Sequence, residues 1–388
     1  MLEKLGEGLK EAGDVKPRQF HIFDFPENMY VVLKDDYRKK LFDESVKKFG
    51  SREKLAIFLD IDKSTFNCWY AGKRFGKNNK QTFMAFPLGA LKKLFHVTSN
   101  DVKTLYENII LLRNGRSAIF YPKLPFNETT TLFSLLGNLL GDGYISEKRD
   151  SPNYSNKRKE LVTEFKKKLE IFGKVDFKQT VSGRHYRFSK IVVDILIYFY
   201  HLNHGTFNAS LPQELWKLPR EYAAATIGAI VDDDGTIADE KIEIYSASRR
   251  LLEDIRNLIS IKFPEIEFGK IISKRGNYFF FQIHSRSFLH FKRLIPLSHS
   301  EKIKNLDFNI KRCEIRKTGV TLGKGITKSN ILELLSNKNL TTKEISRTLY
   351  ISMGTINEHL NLLEKIEKVE SVKIDRGYRN ICRLWFKV

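Results

Sequence analysis

"LLGNLLGDG", residues 135–143, ends an apolar run on a bare carboxylate, Asp142, set between two glycines. A buried helix gains nothing in packing from an ionised group at its end, because an unpaired carboxylate is costly to desolvate. The pattern returns as "IGAIVDDDG", residues 227–235, with Asp234 in the matching place. The continuation of each stretch repeats as well. Each copy runs through a strand-like segment to Tyr-Ser and a charged helix, "YSNKRKELVTEFKKKLE" from Tyr154 and "YSASRRLLEDIRNLI" from Tyr245. Each then gives two strands and another apolar helix: "GKVDFKQTV" with "RHYRFSKI", and "FGKIISKR" with "YFFFQIHS". The chain therefore carries two copies of one α-β-β-α-β-β-α unit side by side, and its fold class is α+β.

Within the repeat, Gly137 and Gly141 lie four apart on one helical face, and Gly228 and Ala229 occupy the middle of the second helix. Side chains this small let two helices pack with backbones nearly touching, which brings Asp142 and Asp234 together. Two carboxylates that close repel unless a cation lies between them. Aspartate, backbone carbonyls and water form the oxygen set that Mg²⁺ accepts, and ions held this way activate a water and stabilise the leaving oxygen of a phosphodiester. One Asp-Gly pair is as readily a helix-terminating turn; two in matching places point to metal and phosphate chemistry.

The composition narrows the partners. Lysine and arginine number 67 against 46 acids, a formal charge of +21, and the excess extends from "KRKELVTEFKKK" to "KIDRGYRNICR". Such a surface attracts polyanions, nucleic acid first among them. Cys68, Cys313 and Cys382 are scattered, without a CxxC or a neighbouring histidine pair, so neither a zinc site nor a disulfide framework is expected. No uncharged stretch is long enough to cross a bilayer, and "MLEKLGEGLKEAGDVK" lacks an apolar signal core. A cytoplasmic, nucleoid-associated protein without membrane contact is expected.

At 388 residues the chain exceeds one ordinary core. Four segments are expected: a mainly helical 1–125, the repeat units 126–215 and 216–318, and a terminal 326–388. In the first, "REKLAIFLDIDKSTFNCWYAGKR" (52–74) reads as a helix-turn-helix. Leu55, Ala56 and Leu59 lie on its first helix, Ser64 caps the second, Phe66 and Trp69 face inward, and Lys73 and Arg74 follow as DNA contacts. "FYPKLPFNETT" (120–130) and the glycine-rich "RKTGVTLGKGITKSN" (316–330) mark boundaries. The terminal segment reads as three helices, the first with Leu332 and Leu335, the second with a Thr341/Glu344 capping box, the third capped by Ser352. Two strands come next, "ESVKI" and "CRLWFKV", around the turn "DRGYRN". This is the winged-helix plan.

The two nine-residue stretches resemble the motif of the LAGLIDADG homing endonuclease family, matching its apolar positions, its acid and its final glycine. The resemblance covers the whole central block. It implies a monomeric, single-chain pseudo-two-fold pair whose saddle-shaped antiparallel sheets sit astride the major groove of a long double-stranded DNA site. It also implies a hydrolase that cuts both strands with Mg²⁺ or Mn²⁺. The family's acids fall on Asp142 and Asp234, and the carbonyls before them on Gly141 and Asp233; Asp233 departs from the pattern, which has a small residue there. A basic residue near each scissile phosphate is implied as well. Lys157 is the first-copy candidate, with Lys178 and Lys190 as others; in the second copy Ala247 or Ser248 holds the matching place, so the role falls to Lys270 or Lys274.

Base readout falls to the strands. Lys178, Gln179, Arg184, Arg187 and Lys190 are its candidates in the first unit, and Lys270, Lys274, Gln282, His284 and Arg286 in the second, with His185 and His284 as contacts rather than general bases. Two other functions use the same parts. A non-cleaving regulator keeps the platform and the terminal modules but has no need of both acids; an RNA maturase uses the basic saddle on structured RNA. Self-splicing is not expected, since Met1 stands where a nucleophilic Cys or Ser is required and Phe386, Lys387 and Val388 replace a terminal His-Asn pair.

Overall fold

A computed structural model describes residues 16–75, 81–98, 100–145, 152–181, 183–202, 207–238, 241–274, 276, 278–317, 326–375 and 381–388. The architecture is α+β, with several antiparallel sheets. In the N-terminal part, helices Asp35–Phe49, Arg52–Leu59, Lys63–Ala71, Leu88–Thr98 and Val102–Glu107 accompany a five-stranded sheet. Its order is Lys174–Val175, Ser117–Phe120, Ile109–Asn114, Tyr30–Leu33, Phe86–Pro87. The edge strand comes from the first repeat unit, with Lys174 opposite Phe120 and Val175 opposite Ile119.

Helices Arg52–Leu59 and Lys63–Ala71 meet through a tight turn, and Phe66 and Trp69 are buried as the spacing requires. The cap of the second helix is Asp62 rather than Ser64. The Asp62 carboxylate accepts the Thr65 N–H at 2.9 Å and the Ser64 hydroxyl at 2.5 Å, so Ser64 lies inside the first turn and commits its hydroxyl to the cap. Lys73 and Arg74 start a short strand, Lys73–Phe75, paired with Gln81–Phe83.

Both repeat units have the expected order of elements. The first runs helix Thr130–Leu140, strands Gly143–Tyr144 and Asn153–Tyr154, helix Lys159–Leu169, then a strand split at Asp176 into Lys174–Val175, which joins the N-terminal sheet, and Phe177–Gln179, followed by strand Tyr186–Phe188 and helix Lys190–Tyr200. The second runs helix Arg220–Asp234, strands Gly235–Ala238 and Lys241–Ser246, helix Arg249–Lys262, strands Ile272–Lys274 and Tyr278–Ile283, helix Phe288–Leu294. In each four-stranded sheet the fourth strand lies between the second and the third.

The two motif helices pack directly on each other. Arg220–Asp234 is buried at every position from Tyr222 to Asp232, so it has no solvent face and no amphipathic pattern to show. A Cβ added to Gly137 would collide with the Thr226 carbonyl and stand 2.9 Å from the Ala229 Cβ; one on Gly141 would stand 2.8 Å from the Asp233 Cβ. Gly228 serves a different neighbour. Its bare backbone admits the Pro296 carbonyl, while Ala229 is the residue that meets Gly137.

One apolar core runs from Phe20 through the repeat units to Leu306, with Phe126 buried in it. A second core, around Ile345, Leu360 and Trp385, belongs to helices Ile326–Asn337, Thr342–Leu349 and Met353–Lys365 and a three-stranded sheet. In that sheet Ile381–Lys387 is central, between Leu340–Thr341 and Val369–Asp375. The Thr341/Glu344 capping box and the Ser352 cap are both present. Most of the 316–330 boundary and the turn of the wing lie outside the described residues. Among those described, no helix is long and apolar enough to cross a membrane.

Candidate functional site

Helix Thr130–Leu140 closes at Gly141, whose N–H donates to the Gly137 carbonyl at 3.0 Å, and Asp142 follows. Helix Arg220–Asp234 ends on Asp234 itself, closed by the Gly235 N–H on the Val231 carbonyl. Helix packing brings Asp142 within electrostatic reach of Asp233 and Asp234.

The acids at this junction are satisfied to different degrees. Asp232 turns away, accepting the Ser298 and His299 N–H groups at 2.7 and 3.0 Å. Asp233 accepts the Asn138 amide at 2.8 Å, the Tyr154 hydroxyl at 2.6 Å and the Asn156 amide at 3.3 Å. Among the described residues the Asp142 side chain accepts one bond, from Asn156 Nδ2 at 2.7 Å to Oδ2. Asp234 accepts no side-chain or backbone hydrogen bond from the described residues, and it borders a cavity of about 240 Å³ with Gly141, Gly143, Tyr144, Tyr245 and Tyr278.

Burial discourages ionisation here. It raises Asp142 against the opposing effects of Asn156 and Lys302, and raises Asp234 to about 7, where the Asp142 charge adds to it. Asp233 is pushed to about 8 by burial and then by Asp142. Two lysines answer this charge. Lys302, on helix Ser300–Lys317, donates from Nζ to the Val231 and Asp232 carbonyls at 2.8 and 2.7 Å, and Lys168 donates to Asn138 Oδ1 at 2.6 Å. Burial lowers both lysines while the surrounding aspartates raise them.

Asp142 and Asp234 suit a hard divalent cation. They offer oxygens without internal partners, they repel each other, and a doubly charged ion relieves that repulsion. Among the described residues no group of three or more His, Cys, Asp or Glu side chains is placed to hold a metal ion; the backbone of Gly141 and Asp233 adjoins the two acids.

The residues expected on the strands divide. On the first sheet Lys178 lies opposite Arg187, Arg187 opposite Asn153, and Asn153 opposite Tyr144, a single row across one face. Gln179 alternates to the other face and donates to the Gly183 carbonyl at 2.7 Å, which ties it to its own hairpin. Arg184 is exposed in that hairpin, and His185 meets the Ser155 hydroxyl. In the second unit Glu267 engages Arg286 and lies 3.9 Å from His284, so both side chains are drawn to a carboxylate. The open face of the second sheet mixes aromatic, acidic and basic side chains: Tyr245 lies opposite Phe280 and Phe280 opposite Ile272, Lys274 lies opposite Tyr278, and Glu243 opposite Gln282. Lys274 stands over the Tyr245 ring at 5.0 Å, Tyr245 itself lining the Asp234 cavity. Lys157 and Lys270 are exposed, and Lys190 is partly buried at the start of its helix.

Asn156, Tyr154 and Lys302 escaped the sequence reading. Aligning the two copies at Tyr154 and Tyr245 puts Asn156 against Ala247, a polar-for-apolar difference that marks Asn156. Lys302 carries no such signal, since its helix, Ser300–Lys317, follows the last of the repeated elements and is an ordinary charged one.

Comparison with known proteins bears on parts of the chain. Residues 326–371 match the family described as bacterial regulatory protein, arsR family, which includes the terminal helix-turn-helix. An A-type ATP synthase subunit of Methanopyrus kandleri is 23% identical over 207 residues, 53% of this chain but 20% of that protein, so the chain spans about a fifth of that relative's length. Among solved structures, full-length DUF199/WhiA from Thermatoga maritima aligns over 63% of this chain and 93% of its own at 12% identity and a TM-score of 0.31. I-DmoI in complex with DNA and Mn aligns over 43% and 97% at 14% identity and a TM-score of 0.32. The N-terminal LAGLIDADG domain of DUF199/WhiA aligns over 45% and 87% at 16% identity and a TM-score of 0.31.

Proposed function

We propose that the chain is a site-specific DNA endonuclease of the homing type, in which two pseudo-two-fold units grip a long duplex site and Asp142 and Asp234 hold divalent metal between them. The observation that carries this reading is the contrast among the acids. Asp232 and Asp233 are fully engaged by the protein, whereas the two motif acids keep oxygens free at the meeting of two helix ends. Free, half-buried and mutually repelling carboxylates have no structural use that an asparagine would not serve better.

Bound Mg²⁺ or Mn²⁺ supplies an activated water and a counter-charge for the leaving oxygen. The chain's own residues do the rest. Asn156 orients Asp142, Lys302 anchors the end of the second motif helix through two carbonyls, and Asp233 is locked by Asn138 and Tyr154 beneath the site. Lys178 and Arg187 face the DNA from the first sheet, and Lys274 stands beside the second acid's cavity, over Tyr245. The winged-helix segment adds a DNA clamp in series, which raises the effective concentration of the whole on one duplex. A monomer in the cytoplasm, at the nucleoid, fits this role.

Cleavage of a supercoiled plasmid library, with and without Mg²⁺, by the wild type, Asp142→Asn and Asp234→Asn tests the reading. Metal-dependent cutting at one long sequence, lost or reduced to nicking in both variants, supports it. Equal binding by all three with no cutting assigns the chain instead to a non-cleaving regulator. That second reading is favoured by the Lys302 ammonium set against the acids and by the regulatory family matched at residues 326–371. Preference for structured RNA over duplex DNA marks a maturase.

A further inference from the structure

The hairpin Ile109–Phe120 of the N-terminal sheet turns through Asn114, Gly115 and Arg116, with Gly115 at φ +58. That turn is fastened to the first repeat unit. Asn114 Nδ2 donates to Asp194 Oδ2 at 2.8 Å, and the Ser117 hydroxyl accepts the Ile191 N–H at 2.9 Å. Strand Lys174–Val175 pairs with Ser117–Phe120 and continues through Asp176 into strand Phe177–Gln179 of the first repeat sheet. A single run of chain is thus the edge of both sheets, and the hairpin turn is held rigidly beside the basic row.

Between the turn and the row lies an open groove of about 1060 Å³, with Arg116, Lys178, His185, Arg187 and Lys190 on its walls and Asp176 as its acid. Arg116, Lys178 and Arg187 are exposed, and none of these three nor Lys190 forms a salt bridge among the described residues. Cations held open on rigid strands neutralise a phosphate without breaking an internal pair, and the gain comes from released counterions. The second unit is less open to a phosphate, because Arg286 is engaged by Glu267, Lys241 lies 4.0 Å from Glu243 and Lys274 stands over the Tyr245 ring.

We propose that this groove is a track for the phosphate backbone of DNA flanking the central site, on the first-unit side alone, with Arg116 contributing a contact from outside the two repeat units. The proposal rests on the DNA-binding reading above. It is tested with the full chain on two duplexes carrying the selected site, one with a long flank and one trimmed on the first-unit side. Wild type, Arg116→Ala, Arg116→Lys and Arg116→Glu are titrated at about 50 and 200 mM salt.

One lost phosphate contact lowers the salt slope by about 0.9, so the wild type's advantage over Arg116→Ala on the long duplex should shrink about 3.5-fold between those two concentrations. Arg116→Lys should restore most of the affinity, Arg116→Glu should bind worse than Arg116→Ala, and on the trimmed duplex all four should bind alike. Equal affinity and equal slope for wild type and Arg116→Ala on the long duplex overturn the track while leaving DNA binding intact. Absence of salt-dependent duplex binding by the wild type overturns the DNA reading itself, and tighter, Arg116-dependent binding to a hairpin RNA assigns the groove to RNA.

Discussion

Asp234 shows how much one carboxylate decides. Its pKa is raised to about 7 by burial and by Asp142, far above the ordinary range near 4 that it has in the unfolded chain. The folded state therefore binds protons that the unfolded state releases, and in chelator stability should be fully present at acid pH and fall as pH rises through about 7. Thermal unfolding from about pH 5 to 8 should show Tm declining in the wild type, more shallowly in Asp234→Asn, and hardly at all with saturating Mg²⁺ or Mn²⁺. A wild-type Tm that is flat in chelator contradicts the strained acid pair. Lys302→Met withdraws a cation that lowers Asp142, Asp232 and Asp234, so the same decline should extend to higher pH. The two motif acids were legible in the sequence because a repeat presents the same oddity twice. Lys302 was not, since its position depends on a helix folding back across the second motif.

At the scale of elements, the motif-helix contact depends on absent side chains. Gly137→Ala drives a methyl into the Thr226 carbonyl, and both motif helices are packed on their other sides, so the chain has little room to yield. Overpacking of this kind costs about 1–3 kcal/mol, read as a lowered urea midpoint at unchanged m. Gly354→Ala is the matched control. It lies in a helix, its new Cβ meets nothing nearer than Ser352 Oγ at 3.8 Å, and its stability should be equal or higher. Thr341→Ala removes a capping box and should cost about 1 kcal/mol. That cap was readable because both halves lie three residues apart in sequence. The cap at Asp62 was misread as Ser64 because two good capping residues stand two apart, and only the extended backbone at Asp62 selects between them. Gly228 was misassigned for a related reason: a buried helix presents small residues to several neighbours, and spacing alone does not say that Pro296 is one of them.

For the whole molecule, the described residues gather into two hydrophobic cores. The winged-helix segment buries its own set, with Trp385 at 1% exposure and its indole N–H on the Thr342 hydroxyl at 3.0 Å. It touches the rest through side chains: Arg347 to Asn305 at 2.6 Å, and Tyr350 stacked on Phe308 with Lys311 over its ring at 4.5 Å. The N-terminal part, in contrast, takes strand Lys174–Val175 into its sheet and shares its core with the first unit. Such long-range pairing is invisible in the local sequence, because the strand that completes the N-terminal sheet lies some fifty residues downstream of its partner. The consequence is measurable in fragments. Residues 326–388 alone should unfold cooperatively in urea with a stability of no more than about 3–5 kcal/mol, the ceiling for a single core of that size. Residues 16–125 alone should lack a cooperative transition, because removing the shared edge strand and the aromatic contacts of Phe20 with Phe199 and Tyr200 leaves apolar surface that water must cover. Extending that fragment to residue 202 returns both the strand and the rings, and a cooperative transition should return with them. Cooperative unfolding of 16–125 on its own would show instead that the N-terminal sheet is autonomous, and that the Arg116 turn is docked on the first unit rather than built with it.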